Sequence, residues 1–236
     1  MIRHPVKAPL LLTDFRKHPS MSQPKRPYIT CVLAFILTAI YGWQVYDPTL
    51  IEQYAFMGTQ LEEEPHRFFT GAFLHADLTH LVMNAATLLF LGSVVEAALG
   101  HVSMLVVYAT ALVGGQVAVY MWEDPMVATV GASGAIYGLF GAALVVNLIT
   151  RSWSALFNSA GIIIINSVVS YLSPGISWQA HTGGLIAGLI AAIPCAVIII
   201  TWVRRRDRKE QEKAAQVGQY VYGQPGVGHM HYGRQQ

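Results

Sequence analysis

Long apolar runs alternate along this chain with short segments that carry the charged residues. The runs lie at 28–46, near 79–98, near 102–121, at 125–150, near 155–171 and near 178–202. A helix that crosses a bilayer needs about 20 mostly apolar residues. The uncharged stretch 152–203 is too long for one crossing, and Pro174 and Gly175 break it into the last two runs. The pattern predicts an all-α, polytopic membrane protein with a bundle of six transmembrane helices.

Composition excludes several classes of protein. The chain is 53% hydrophobic and only 12% charged, whereas soluble domains carry roughly 25% charged residues. An ordinary water-soluble enzyme, a disordered chain and a nucleic-acid-binding protein are therefore excluded. Cys31 and Cys195 both lie in apolar runs, which argues against a disulfide framework or a thiolate zinc site. His229 and His231 are interpreted as solvated residues of the tail, and we expect no metal site.

The distribution of Lys and Arg predicts the orientation of the chain. Residues 1–27 carry six basic side chains against one acidic side chain, and the segment 204–236 begins with three arginines. The loop 47–78 is acidic. Because basic loops stay on the cytoplasmic side, both termini are predicted to be cytoplasmic and the loop 47–78 to lie outside. The three arginines are interpreted as an anchor to anionic lipids.

Three regions follow from this division. Residues 1–27 form a basic tail, residues 28–203 form the six-helix domain, and residues 204–236 form a second basic tail that we expect to be disordered. The aromatic residues of the outer loop 47–78 predict a folded cap. The first run is longer than the 7–15 residues of a signal-peptide core, and no small-residue cleavage site follows it, so we expect it to be retained. Translation from Met1 or from Met21 remains open. The short basic N-terminus favours a bacterial inner membrane.

Four polar residues lie inside the predicted helices at one depth. His80 and Asn84 are one turn apart near the start of the second helix, Ser133 opens the fourth, and His181 lies near the start of the sixth. All three helices enter from the outer side, so these residues are predicted to meet in the outer third of the bilayer. Polar groups are expensive to bury there and mark functional sites by default.

This set of residues allows nucleophilic catalysis. A serine hydroxyl is a poor nucleophile until a base removes its proton, and histidine is the usual base. We therefore predict a catalytic dyad of Ser133 and His181. Asn84, His80 and the backbone N–H of Ser133 are candidate donors to the oxyanion that forms when an amide is attacked. The fourth and sixth helices carry no carboxylate at this depth, so packing is expected to orient the imidazole.

Small residues beside the dyad predict that the two helices pack closely. Gly134 and Gly138 follow Ser133, and Gly184 and Gly188 follow His181. Pairs of small residues four apart let membrane helices approach backbone to backbone. Tyr137 follows Ser133 by one turn and is placed to stack on His181.

Several of the polar residues in the predicted helices, and of those near the helix ends, also have a simpler, structural interpretation. Gly-x-Ser-Gly alone is more often a packing motif than a catalytic one. His75 is expected to stabilise the junction between loop and helix, and Glu96 to pair or cap locally. The combination of Ser133, His181 and Asn84 on three helices favours the catalytic interpretation.

Three segments resemble the signature segments of the rhomboid intramembrane serine proteases. They are His75-Ala-Asp-Leu-Thr-His80-Leu-Val-Met-Asn84, Gly131-Ala-Ser133-Gly-Ala-Ile-Tyr137-Gly138 and Ala180-His181-Thr-Gly-Gly184-Leu-Ile-Ala-Gly188. The resemblance runs from about Pro65 to Ile190. It implies Ser133 as nucleophile, His181 as general base, and His80 and Asn84 as parts of the oxyanion hole.

The resemblance also implies supporting roles and a substrate class. Gly131, Gly134, Gly184, Gly188 and Tyr137 support the site, and no cofactor is needed. Arg67 resembles the arginine of a Trp-Arg pair in the first outer loop, although His66 stands where the family has tryptophan. The substrates implied are other membrane proteins, cut in or near a transmembrane segment.

Two other functions compete with proteolysis. An inactive rhomboid relative that binds and escorts membrane proteins is the first, but both Ser133 and His181 are present here. A small channel or transporter is the second, but its polar residues should line the full thickness of the membrane and not one depth.

Overall fold

A computed structural model describes residues 26–222 of the chain, and this part is all-α, as predicted. Residues 1–25 and 223–236, with most of the N-terminal tail and with His229 and His231, lie outside the described residues. The α-helices are α1 (Tyr28–Tyr46), α2 (Leu50–Tyr54), α3 (Arg67–Thr70), α4 (Leu78–Thr87), α5 (Ser93–Leu99), α6 (His101–Trp122), α7 (Ser133–Ile149), α8 (Trp153–Leu172) and α9 (Trp178–Tyr222).

Each of the six predicted apolar runs contains a long helix. In the described part, five segments are long and apolar enough to cross a membrane: Tyr28–Tyr46, Leu78–Leu99, His101–Trp122, Trp153–Leu172 and Trp178–Gln216. Helix α7 is apolar but has only 17 residues, the lower end of the roughly 17–25 residues that a crossing needs. Six crossings therefore stay a prediction.

The core of the region up to Ala196 lies between α1, α4, α5, α6, α7 and the first part of α9. Leu37, Leu88, Val95, Met104 and Leu139 are all fully buried there. Large apolar side chains on the outside remain exposed, among them Phe35, Phe90 and Phe157. An apolar exterior of this kind is expected where lipid tails, and not water, surround the protein.

The fourth predicted run differs from the structure at its start. The uncharged run begins at residue 125, whereas α7 begins at Ser133, the residue that was predicted to open the fourth helix. Phe56 and Thr129 form an isolated antiparallel bridge, with N–H···O distances of 3.1 and 2.8 Å, and Gly131 donates to the Gly71 carbonyl. The backbone of the segment before α7 is therefore hydrogen-bonded to the outer loop. It could not make these bonds if it were part of the helix.

The outer loop is folded, as its aromatic residues predicted. It contains α2, α3 and two short 3₁₀ turns, Gly58–Gln60 and Gly71–Phe73. Arg67 is buried, and its guanidinium donates to the Glu64 carboxylate at 2.6 Å and to the Glu52 carbonyl at 2.6 Å. A buried arginine needs such partners, and here they tie two parts of the loop together.

Glu96 pairs locally with His101, as predicted, and it also binds residues far away in the sequence. Its carboxylate accepts hydrogen bonds from the N–H groups of Ile29 and Thr30, at 2.9 and 2.8 Å, and from the Thr30 hydroxyl at 2.6 Å. His101 Nδ1 lies 2.5 Å from the same carboxylate. Helix N-termini leave N–H groups without partners, so Glu96 caps α1 from a distant part of the chain. The turn Leu88–Gly92, one turn earlier, is π-helical.

The region from Val197 onward differs from the predicted tail. Residues 204–222, which we expected to be disordered, continue α9. Ion pairs of the i, i+4 type join Arg206 to Glu210 at 3.0 Å and Arg208 to Glu212 at 3.8 Å. Glu, Lys, Gln, Arg and Ala all have high helix propensity, which explains why this polar segment stays helical.

Candidate active site

Helix α4 begins with a side-chain cap that fixes the positions of two predicted site residues. The Asp77 carboxylate accepts the backbone N–H of His80 at 2.8 Å, which is an N-cap bond. Asn84 follows one turn later and is buried. Its amide Nδ2 donates to the His80 carbonyl at 2.9 Å, and its Oδ1 is buried without a hydrogen-bond partner. One amide hydrogen of Asn84 therefore remains for another acceptor.

His75 holds the entry to α4 in place, as predicted. It is fully buried, and the Gln44 amide of α1 pairs with both its backbone N–H and its carbonyl, each at 3.0 Å. Its ring meets the His80 ring edge to face at 5.1 Å. Burial lowers the pKa of His75 to about 4, and the neighbouring His80 acts in the same direction, against the Phe73 carbonyl and Asp77. His75 is thus a neutral ring at pH 7.

Gly131 brings the segment before α7 against His80. Its φ is +119°, a conformation that glycine adopts far more readily than other residues. A Cβ at this position would lie 2.6 Å from His80 Cε1 and 2.9 Å from Nε2. Any side chain at residue 131 would therefore displace His80 from the loop that leads into Ser133.

Helices α7 and α9 pack backbone to backbone beside the predicted dyad. A Cβ at Gly184 would lie 1.9 Å from the Gly134 carbonyl oxygen, and one at Gly188 would lie 2.2 Å from Gly138 Cα. One at Gly134 would lie 3.1 Å from the Ala180 carbonyl oxygen. The close packing predicted from these glycines is present. Because Ser133 precedes Gly134 and His181 follows Ala180, their backbones are neighbours.

Helix α6 shares this contact, which sequence reasoning missed. A Cβ at Gly115 would lie 3.0 Å from the Ala180 carbonyl oxygen and 3.5 Å from Gly134 Cα. The Gly114-Gly115 pair is the sequence signal that points to this close approach.

The imidazole of His181 is buried and held from two sides. The Tyr137 ring stacks on it with centroids 4.0 Å apart and planes 10° apart, so the predicted stacking is present. The Ser170 hydroxyl of α8 lies 2.8 Å from Nδ1. Sequence reasoning missed Ser170 because it considered only the fourth and sixth helices around the imidazole. A polar residue near the outer end of the fifth run was the available signal.

Ser133 is the first residue of α7 and is half-buried. Within residues 26–222, no hydrogen bond joins its hydroxyl to His181, so that predicted contact stays a prediction. Catalytic hydrogen bonds are often long in the absence of substrate. The structure brings the His80 ring to Gly131, two residues before Ser133, and the α9 backbone to Gly134, the next residue. A hydroxyl, an imidazole and candidate hydrogen-bond donors thus surround the start of α7.

Metal ligands are not gathered at this place. Among residues 26–222, no group of three or more His, Cys, Asp or Glu side chains is arranged to hold a metal ion.

Known proteins resemble this chain over the same region. Residues 62–197 match the rhomboid domain. The putative rhomboid protease YdcA of Bacillus subtilis is 33% identical over 146 residues, which are 61% of this chain and 70% of that protein. Rhomboid protease GluP of the same organism is 33% identical over 165 residues, which cover 68% of this chain and 32% of that protein. RHOMBOID-like protein 6, mitochondrial, of Arabidopsis thaliana is 34% identical over 132 residues, 53% of this chain and 42% of that protein.

The match to the rhomboid domain covers more than half of the chain. It includes α4 and α7, which carry His80 and Ser133, and the part of α9 that carries His181. The match, the long apolar helices and the apolar exterior together identify an integral, multi-pass membrane protein that belongs to the rhomboid family.

Proposed function

We propose that this protein is an intramembrane serine endopeptidase that cleaves transmembrane proteins in or near their membrane segments. The observation that carries the proposal is the stacking of Tyr137, one turn after Ser133, on the His181 ring. This contact and the close packing of Gly184 against Gly134 support the proposal that the His181 imidazole lies beside the Ser133 hydroxyl. The names of the Bacillus subtilis relatives point to the same activity.

The proposed reaction is acyl transfer. His181 takes the proton of the Ser133 hydroxyl while the oxygen attacks the carbonyl carbon of the scissile bond. The tetrahedral intermediate collapses when His181 returns the proton to the leaving amine. Water then attacks the acyl-enzyme by the same route and releases the new carboxyl group. No step of this sequence needs a metal or a cofactor.

The oxyanion is stabilised by donors on two helices in this proposal. Asn84 contributes the amide hydrogen that the His80 carbonyl does not use, and His80 contributes a ring N–H. The backbone N–H of Ser133, at the start of α7, adds the positive end of a helix dipole. The substrate must unwind locally to enter, since a helical peptide bond is shielded by its own hydrogen bonds.

We further propose that the protein lies in a bacterial inner membrane with both termini cytoplasmic. The arginines at 204–206 and the acidic loop 47–78 support this orientation. The dyad then opens to the outer side, and the substrates are membrane proteins whose cleavage site lies near the outer surface.

Labelling with a serine-reactive fluorophosphonate tests the proposal. The purified protein should be labelled at Ser133, and the label should disappear in Ser133→Ala and in His181→Ala. Ser159→Ala, in which a hydroxyl of α8 that accepts from Asn147 is removed, serves as the matched control and should keep the label. Equal labelling of the wild type and Ser133→Ala would contradict the assignment, and a wild type without label would favour a non-catalytic protein that binds and escorts membrane proteins.

A further inference from the structure

The hydroxyl of Ser170 is buried and makes three polar contacts. It lies 2.7 Å from the Asn166 carbonyl oxygen, 2.8 Å from His181 Nδ1 and 3.4 Å from the Tyr137 hydroxyl. A serine hydroxyl has one hydrogen to donate and two lone pairs that accept. The three contacts therefore use its whole bonding capacity.

The direction of each bond follows from its partner. The Asn166 carbonyl can only accept, so the Ser170 hydrogen is donated to it, as serine hydroxyls in helices often do toward the carbonyl four residues earlier. Both lone pairs of Ser170 are then left to accept. Because the Ser170 oxygen can only accept from His181, Nδ1 must be the donor of this bond, so the neutral imidazole carries its hydrogen on Nδ1.

This tautomer decides which nitrogen of His181 acts as the base. A neutral imidazole has one N–H and one nitrogen with a free lone pair. With the hydrogen on Nδ1, the lone pair is on Nε2. When Nε2 takes a proton from a nucleophile, the ring becomes positively charged and its Nδ1–H bond to Ser170 becomes charge-assisted and stronger. The contact thus stabilises the state that forms during attack.

We propose that Ser170 is a positioning residue for the reaction of Ser133: it holds His181 in the tautomer whose Nε2 is the general base. This inference rests on the proposed function of the dyad. Ser170 acts through His181 and does not touch the reacting atoms. It fills the place that a carboxylate fills in a Ser-His-Asp triad.

A hydroxyl suits this place better than a carboxylate because of the membrane. A charged carboxylate is expensive to bury at membrane depth, whereas a hydroxyl with all its bonds made is not. Within residues 26–222, no carboxylate hydrogen-bonds to His181; the acidic side chains of this part lie in the loops, at Glu96 and beyond residue 206. The ring is therefore oriented without a second charge.

The local chain geometry fixes the distance between Ser170 and His181. Ser170 lies near the end of α8, His181 lies near the start of α9, and only residues 173–177 connect the two helices. Ser177 caps α9, since its hydroxyl accepts the Ala180 N–H at 3.2 Å and its carbonyl accepts the His181 N–H at 3.3 Å. Tyr137 fixes the plane of the ring, and Ser170 fixes its rotation within that plane.

The first test measures the tautomer directly and needs no activity. We would record ¹⁵N NMR spectra of the full-length protein, with ¹⁵N-labelled histidine, in lipid nanodiscs at pH 8. The signals of His181 are assigned by their loss in His181→Ala. We expect a protonated Nδ1 and an unprotonated Nε2. The opposite tautomer would overturn the inference even if Ser133 proves to be the nucleophile.

The second test measures the effect on the reaction. In Ser170→Ala, the rate of fluorophosphonate labelling of Ser133, and kcat with a transmembrane substrate, should fall about 10- to 100-fold, which is the worth of a hydrogen bond to a charged group. KM should stay unchanged, because the substrate does not touch Ser170. Ser170→Thr keeps the hydroxyl and should restore most of the rate, and Ser159→Ala should keep all of it.

The outcomes separate this inference from the proposed function. A wild-type rate in Ser170→Ala, or a rate in Ser170→Thr as low as in Ser170→Ala, would overturn the role of Ser170 while leaving the dyad intact. A wild type that is not labelled at all would overturn the proposed function, and the tautomer of His181 would still be decided by NMR. If Ser170→Ala does not fold, the wild-type spectrum and Ser170→Thr still decide the question.

Discussion

The ring of Tyr137 lies flat on the ring of His181, with centroids 4.0 Å apart and planes 10° apart. Tyr137 belongs to α7 and His181 to α9. Because Tyr137 lies one turn after Ser133, the contact links the orientation of the imidazole to the helix that carries the proposed nucleophile. The hydroxyl of Tyr137 also lies 3.4 Å from the hydroxyl of Ser170.

Replacement of Tyr137 should separate stacking from hydrogen bonding. Tyr137→Leu removes the aromatic face and should lower kcat about tenfold, since an aromatic pair contributes about 0.5–1.5 kcal/mol beyond its buried area. Tyr137→Phe keeps the face and should retain most of the activity. Cleavage of a transmembrane reporter in liposomes measures both. Equal activity of Tyr137→Leu and the wild type would contradict a role for the stacking.

Gly184→Ala should force α7 and α9 apart. The new Cβ would lie 1.9 Å from the Gly134 carbonyl oxygen, so the backbones must move. Overpacking of this kind costs about 1–3 kcal/mol, or a fall of about 5 °C in Tm, and we expect labelling of Ser133 to be lost with it. Gly161→Ala is the matched control, since its Cβ would meet no heavy atom within 4 Å. Similar behaviour of the two variants would contradict the close approach.

Asn84→Ala tests the proposed oxyanion hole. If Asn84 acts alone, kcat should fall about 10²–10³-fold, and His80 as a second donor would make the fall smaller. Asn147→Ala removes an amide that donates to Ser159 at 3.2 Å and serves as the control. Steady-state kinetics with the same reporter distinguish them. Unchanged kcat in Asn84→Ala would place the oxyanion hole elsewhere.

Glu96→Gln should lower stability without touching the dyad. The Glu96 carboxylate accepts three hydrogen bonds from Ile29 and Thr30, and an amide has only one oxygen to offer them. We expect a loss of about 1–3 kcal/mol and a Tm several degrees lower. Glu210→Gln removes an exposed ion pair with Arg206 and should change Tm little. A Tm of Glu96→Gln equal to that of the wild type would refute the capping role.

His75 should make stability depend on pH. Burial lowers the pKa of His75 to about 4 from the ordinary value of 6.5, so between these values the unfolded chain binds a proton that the folded protein does not. Stability should therefore fall as the pH falls from 6.5 toward 4, by up to about 1.4 kcal/mol per pH unit. Thermal unfolding in detergent at pH 7.5 and pH 5 measures this fall.

The matched variants for this dependence are His75→Phe and His66→Phe. Phenylalanine cannot titrate and leaves no buried ring nitrogen without a partner, so His75→Phe should reduce the difference in Tm between the two pH values. His66 is exposed in the same outer loop, and its replacement should leave the difference unchanged. Equal pH dependence in His75→Phe and the wild type would show that other groups cause it.

The sequence predicted the helices well because lipid imposes a simple rule. A crossing segment must satisfy its own backbone hydrogen bonds and must be apolar over about 20 residues, so the runs at 28–46 and 102–121 could be recognised from composition alone. The same rule made Ser133 and His181 conspicuous, because polar residues are rare at that depth. Glycines at residues 134 and 184 indicated where two backbones meet.

Contacts between distant parts of the chain were missed or misplaced. Besides His101, Glu96 has partners 66 and 67 residues away in α1, and no periodicity predicts contacts at such a distance. Helix α7 begins at Ser133, as predicted, but the bridge between Phe56 and Thr129, which holds the preceding segment in the outer loop, was not predicted. Residues 204–222 were expected to be disordered because polarity was given more weight than helix propensity.

The sequence by itself thus determined the membrane-spanning character of the protein, the helical segments and the candidate residues Ser133, His181, His80 and Asn84. Only the tertiary structure decided which group lies at Nδ1 of His181: it is the hydroxyl of Ser170, from a helix that the sequence did not connect with the site. The physical reason is the range of the forces. The insertion of an apolar helix into lipid depends on the composition of that helix alone and can therefore be predicted from the sequence. A hydrogen bond requires two atoms within about 3 Å of each other, and only the packing of whole helices brings such atoms together.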